Sequence, residues 1–184
     1  MLIFCFLCRF KRHSKAVGGT YLDKNTDEEI GWRYSGGGFS DHFVRPSYQD
    51  DVVESYFQDL SDNGLLPPND KYNSTGRAVP DISAVATNYQ VVIEKSTGPM
   101  SGTSASTPII AGLISRINQQ RLVHGQSVLG FLNPLLYKKL GSRHDGGGGA
   151  FNDITKGNNA ARPCHTGSSA RVGWDAITGF GTVS

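Results

Sequence analysis

Apolar and polar positions change period several times along the chain, and each change marks an element. Residues 17–22 (VGGTYL) read as a short strand broken by glycines, followed by a polar turn over residues 24–30. Residues 50–60 (DDVVESYFQDL) read as a helix. Asp50 and Asp51 favour its N-terminal dipole, and Val52, Val53, Tyr56, Phe57 and Leu60 make the apolar stripe. Residues 65–75, with Pro67, Pro68, Asn69 and Asp70, form a loop by composition. Residues 78–85 (AVPDISAV) and 89–93 (YQVVI) alternate as strands around a turn at Thr87-Asn88, and residues 98–103 are turn-rich. From Ser104 to Gln120 the period becomes helical, with Ile110, Leu113, Ile114 and Ile117 at i, i+3, i+4 and i+7 and Pro108 in the first turns. A shorter helix is expected over residues 133–140, opened by Pro134 and closed by Gly141. Residues 145–150 are a glycine-rich loop, and residues 151–184 read as loops and turns. Strands alternating with helices point to an α/β domain.

Composition narrows the picture without naming a chemistry. In 184 residues, 38% hydrophobic and 18% charged positions are a globular balance. The net charge of +2 comes from scattered basic residues, which gives no electrostatic case for a nucleic-acid partner. The opening stretch MLIFCFLC is apolar and is followed by Arg9, Lys11, Arg12 and His13. That is the reverse of a secretory leader and too short to span a bilayer, so residues 1–16 are read as a foreign or mis-assigned start. Cys5 and Cys8 form a CxxC with no second pair to complete a zinc site. Cys164 stands alone in the body of the chain, and its partner is open. Asn73-Ser74-Thr75 is an N-glycosylation acceptor if the chain is secreted.

The segment SGTSASTP (101–108) sets a hydroxyl at the start of an apolar helix after a glycine turn. Backbone N–H groups and the helix dipole there favour a developing oxyanion, which makes Ser104 the candidate nucleophile. The same placement is also what a helix-capping serine has. A nucleophilic serine needs a base. His13, His42, His124, His144 and His165 all read as exposed loop or helix residues, and sequence order cannot assemble them into a triad. Asp81, in PDISA, reads as a structural residue at a strand turn. A second constellation is Asp153-Ile154 with Gly173-Trp174-Asp175: two loops, each offering one carboxylate and backbone carbonyls, which is donor chemistry for a hard cation.

GTSASTP resembles the nucleophile motif of subtilisin-like peptidases and of their relatives, the sedolisins. VGGT (17–20), SGGGFS (35–40), FVRPSYQ (43–49), GRAVPDISAVA (76–86) and GWDAITGFGT (173–182) resemble the sedolisins in content and order, from Val17 to the C-terminus. The resemblance implies a subtilisin-like α/β fold, of which residues 17–184 are the C-terminal portion, with a mostly parallel sheet and packed helices. It implies a secreted serine-carboxyl peptidase, acting as a monomer on peptide or protein substrates, with no membrane or nucleic-acid partner. In that family a glutamate is the general base, an aspartate orients it, and a second aspartate helps form the oxyanion hole, all upstream of VGGT. No Asp or Glu occurs in residues 1–16, so only Ser104 of the catalytic set carries over. A carboxylate base works at acidic pH. The resemblance also implies one Ca²⁺, held by the side chains of Asp153 and Asp175 and the carbonyls of Ile154, Arg171 and Gly173. Position 171 is often glycine in the family, so this arginine must adopt its backbone without strain. SGGGFS is expected to shape a loop wall near substrate. Two other readings stay open: a subtilisin-like triad enzyme with its His and Asp upstream, and a catalytically inactive calcium-binding fragment.

Overall fold

The structure is a computed structural model that describes residues 3–4, 14–140, 149–161 and 167–184. Cys5, Cys8, Cys164, His13, His144, His165 and most of the 145–150 loop lie outside the described residues. In chain order the strands are β1 (Ile3–Phe4), β2 (Lys15–Leu22), β3 (Glu29–Gly31), β4 (Gly38–Val44), β5 (Gly76–Val79), β6 (Ile82–Val85), β7 (Tyr89–Ile93), β8 (Ser96–Met100), β9 (Phe151–Asn152) and β10 (Thr182–Val183). The two long helices are α1 (Asp50–Asp62) and α2 (Thr103–Val123). The main sheet runs β1-β2-β6-β10-β9, with β3 also paired to β2. Its centre is parallel: Val17 lies opposite Ile82 and Thr20 opposite Val85, while Thr182 lies opposite Ser83. Two antiparallel pairs, β4-β5 and the hairpin β7-β8, stand off it.

Three expectations are corrected. Residues 78–85 are not one strand. Pro80 and Asp81 interrupt them, so β5 pairs with β4 while β6 enters the main sheet. Pro80 cannot donate to a ladder, and Asp81 turns its carboxylate inward instead of continuing the pleat. Residues 98–103 are not all turn, because β8 extends to Met100 and pairs with β7 through Tyr89 opposite Met100. The reversal falls at Glu94 and Lys95, both at positive φ. Finally, the tail contributes β9 and β10 to the main sheet, two-residue strands too short to show a period.

The helices follow their patterns more closely. In α1, Val53, Tyr56 and Leu60 are buried, with Val52 and Phe57 packed at the margin. In α2, Ile110 and Ile114 are buried against the sheet, whereas Leu113 and Ile117 are more than a third exposed, so half of the predicted stripe faces outward. Asn133–Leu135 starts a helical turn that widens to π geometry over Leu136–Leu140. Trp174 and Phe180 from the tail complete the core, and the indole N–H of Trp174 donates to the Pro80 carbonyl at 3.0 Å.

Asp81, at the turn between β5 and β6, anchors a buried polar network. One carboxylate oxygen accepts the Ala16 N–H at 2.7 Å and Arg77 Nη2 at 3.0 Å, and the other accepts the Tyr137 hydroxyl at 2.9 Å. Gln49 donates to Tyr137 at 2.8 Å and exchanges hydrogen bonds with both backbone groups of Ala78. The network ties α1, β5 and the 133–140 segment to the start of β2, the strand that runs under the candidate nucleophile. Removing the hydroxyl leaves Gln49 and Asp81 each short of a buried partner. Tyr137→Phe is therefore expected to cost about 1–3 kcal/mol, read as a lower urea midpoint at unchanged m-value.

Candidate active site and cation loops

Ser104 is exposed in the first turn of α2. The turn before it needs glycine: Gly102 is the N-cap residue at φ 152°, ψ 154°, a region that side chains rarely enter. Three hydrogen bonds fix this helix mouth to the end of β6. The Gly102 N–H donates to the Ala86 carbonyl at 2.6 Å, and the buried Ser106 hydroxyl donates to the carbonyls of Ala84 and Val85, each at 3.1 Å. The carbonyl of Gly102 then accepts the N–H groups of Ala105 and Ser106, closing the first turn. The Ser104 hydroxyl is thus carried on a rigid helix N-terminus beyond the carboxyl ends of the parallel pair β2 and β6, where open α/β sheets form ligand crevices. Gly102, not Ser104, occupies the N-cap position, and no side chain caps the helix there.

Two histidines fall among the described residues, and both are exposed. His42 lies in β4. His124 is the C-cap of α2, and with 21 residues that helix places it about 30 Å from Ser104, out of reach for a base.

The glycine run before β4 serves the interior of the fold. Ser35 Oγ accepts the Gly19 N–H at 2.9 Å and donates to the Ile177 carbonyl at 2.8 Å, joining β2 to the tail loop. Asn159 Nδ2 donates to the Ser35 carbonyl at 3.2 Å, and Gly37 lies flat against the backbone of Ala176. The outer side of this run borders a cleft of about 640 Å³ walled by Tyr34, Phe57, Leu65 and Tyr72. Ser104 does not line that cleft.

The two aspartate loops converge. Asp153, just after β9, accepts the Gly173 N–H at 2.7 Å. Asp175 is fully buried and accepts the N–H groups of Ile177 at 2.9 Å, Thr178 at 2.8 Å and Arg171 at 3.2 Å, with the Thr178 hydroxyl at 3.1 Å. Ile154, beside Asp153, is buried. All five expected positions therefore sit in one loop cluster. Burial pushes the Asp175 carboxyl up to about 7 even with these donors, so the protein groups around it do not offset its charge. A hard cation would, and the donors present are all oxygen, so the residues fit such an ion. Among the described residues no group of three His, Cys, Asp or Glu side chains is placed to hold a metal, so carbonyls would have to supply most of the ligands. Arg171 lies outside the left-handed region, so the arginine brings no backbone strain there. Its guanidinium turns away from the loops to Asp59 on α1, pairing through both nitrogens with Nη2–Oδ1 at 2.9 Å. That contact holds the Asp59 carboxyl below the usual range.

Comparison with known proteins shows what the chain is similar to. The chain is 45% identical to "Tripeptidyl-peptidase 1" of Dictyostelium discoideum over 166 residues, 90% of this chain and 26% of that protein. It is 41% identical to "Tripeptidyl-peptidase 1" of Homo sapiens over 180 residues, covering 29% of that protein. Among solved structures it matches a Pseudomonas sedolisin, a serine-carboxyl proteinase, complexed with two molecules of pseudo-iodotyrostatin. That match has a TM-score of 0.67 at 26% identity, over 92% of this chain and 43% of the other. Over this length the chain is similar to the sedolisins. No family model matches it. It spans a little over a quarter of the length of the curated relatives it matches.

The α/β fold is sedolisin-like, with a mostly parallel central sheet and packed helices. Three features of this chain escape a reading of the sequence alone: the Ser106 anchor, the Ser35 bridge and the Arg171–Asp59 pair. The first had a signal, since a second serine two positions after the candidate nucleophile faces the sheet. The other two join residues more than a hundred positions apart, and nothing local marks them.

Proposed function

We propose that this chain carries the nucleophile of a serine-type peptidase, with Ser104 attacking the carbonyl of a peptide or protein substrate at acidic pH. The supporting observation is the exposed Ser104 hydroxyl on a helix mouth anchored to the carboxyl ends of β2 and β6. The dipole of α2 favours the oxyanion that forms on attack. The glutamate base, its aspartate partner and the oxyanion aspartate come from outside these 184 residues. Alone, the chain is expected to hydrolyse no peptide at roughly pH 3–5, the range a carboxylate base serves. Release of tripeptides rather than internal cleavage is the activity that the names of its relatives favour.

Calcium belongs to the same proposal. Asp153 and Asp175 would bind it by side chain and Ile154, Arg171 and Gly173 by carbonyl, and the ion would stiffen the loop that packs under the Gly36–Gly38 run. Secretion and a monomeric state follow from the resemblance. The test is a graft: residues 17–184 replace the matching segment of the Dictyostelium tripeptidyl-peptidase 1. The graft is expected to release tripeptides at acid pH. A folded, inactive graft would overturn the catalytic reading, and one that still bound calcium would favour a non-catalytic cation-binding role.

A further inference from the structure

Arg171 links the candidate cation site to α1. Its backbone N–H donates to Asp175 Oδ2 at 3.2 Å, and its side chain forks onto Asp59 in the last turns of α1. Asp59 is 112 positions away in sequence and meets the tail through this arginine. The pair is two-pronged, with side chains 27% and 41% exposed, so water screens it only in part. A glycine at this position removes the charged tie to α1 and leaves the loop held by the buried Trp174 and by the Tyr56 hydroxyl on the Ser169 carbonyl.

We infer that Asp59 is a positioning residue for the cation loop, holding the 171–175 backbone in its ligating shape through the Arg171 guanidinium. The inference rests on the calcium reading above. Groups that orient metal ligands from behind commonly change affinity tenfold or more, but a partly exposed pair sets a smaller scale, about fivefold.

The test is calorimetric titration of Ca²⁺ into the 184-residue chain cleared of metal with EDTA, as wild type, Asp59→Asn, Arg171→Gln and the double variant. Each single variant is expected to bind about fivefold more weakly, and the double variant no more weakly than either, because both changes remove one contact. Charge alone predicts a different pattern, since losing the positive Arg171 would tighten calcium binding and losing the negative Asp59 would weaken it. Arg171→Lys keeps the charge but not the fork and is expected to weaken binding about threefold. Thermal unfolding in EDTA separates loss of affinity from loss of fold. Tighter or unchanged binding by Arg171→Gln, or additive losses in the double variant, would overturn the inference while leaving the calcium reading intact. A wild-type chain that takes up no calcium would overturn both.

Discussion

Gly37→Ala is expected to cost about 3 kcal/mol or more, and in a domain of ordinary stability to leave much of the chain unfolded at 37 °C. A methyl group there would lie 1.8 Å from the Ala176 carbonyl oxygen and 2.7 Å from its carbon. The obstacle is backbone, so no rotamer change relieves it. Ala176 cannot retreat, because its neighbours Asp175 and Ile177 are tied down on both sides: Ile177 accepts the Ser35 hydroxyl, and Asp175 is buried among four donors. Close-packed interiors pass such strain on rather than absorb it. Gly98→Ala and Gly112→Ala are the controls, since an added methyl meets nothing within 4 Å at either position. Gly112 lies inside α2, so alanine there is expected to stabilise by about 0.5–1 kcal/mol. Thermal and urea unfolding followed by circular dichroism read all three. A Gly37→Ala chain melting within a degree or two of wild type would show that the glycine run is a free surface loop.

This packing explains why SGGGFS was legible only in part. The triple glycine announced close backbone approach, but the sequence cannot say whether a substrate or another loop approaches. Here it is the Asp175 loop, more than a hundred residues away, with a cleft on the opposite side. The helices were legible because α1 and α2 each keep one period over many turns. Even so, the period says nothing of Leu113 and Ile117 facing outward, since it marks an apolar stripe and not what covers it. The break at Pro80-Asp81 was hidden because both halves look like strand and only the partner changes, from β4 to the main sheet. The candidate positions, Ser104 and the two turn aspartates Asp153 and Asp175, were named chiefly through the resemblance, because a serine at a helix start or an aspartate in a turn has by itself only a local meaning. The Asp59–Arg171 fork was not legible, because a surface helix aspartate reads as solvated charge until the fold supplies its partner.

The largest change in function is expected at Ser104. In the graft, Ser104→Ala should lower kcat/KM for tripeptide release at acid pH by at least about 10³-fold, with 10⁴ to 10⁶ the usual range for loss of a serine nucleophile. Stability should hardly move. The side chain is exposed, Gly102 rather than Ser104 occupies the N-cap position, and alanine is the better helix former, so the change is expected within about 0.5 kcal/mol. Ser106→Ala provides the contrast two residues away. Its hydroxyl is buried and bonded to the carbonyls of Ala84 and Val85, so its loss is expected to cost about 1–2 kcal/mol of stability and only a modest part of the rate, through a loosened helix mouth. The two serines thus separate a reacting hydroxyl from a positioning one: one variant stable and inactive, the other destabilised and active. Activity surviving Ser104→Ala in a folded graft would remove Ser104 as nucleophile, whatever the family. The same assay tests the base. If a carboxylate serves, the rate of the wild-type graft rises as pH increases through the ordinary glutamate range near 4.3, and a rise centred near 6.5 would instead indicate histidine.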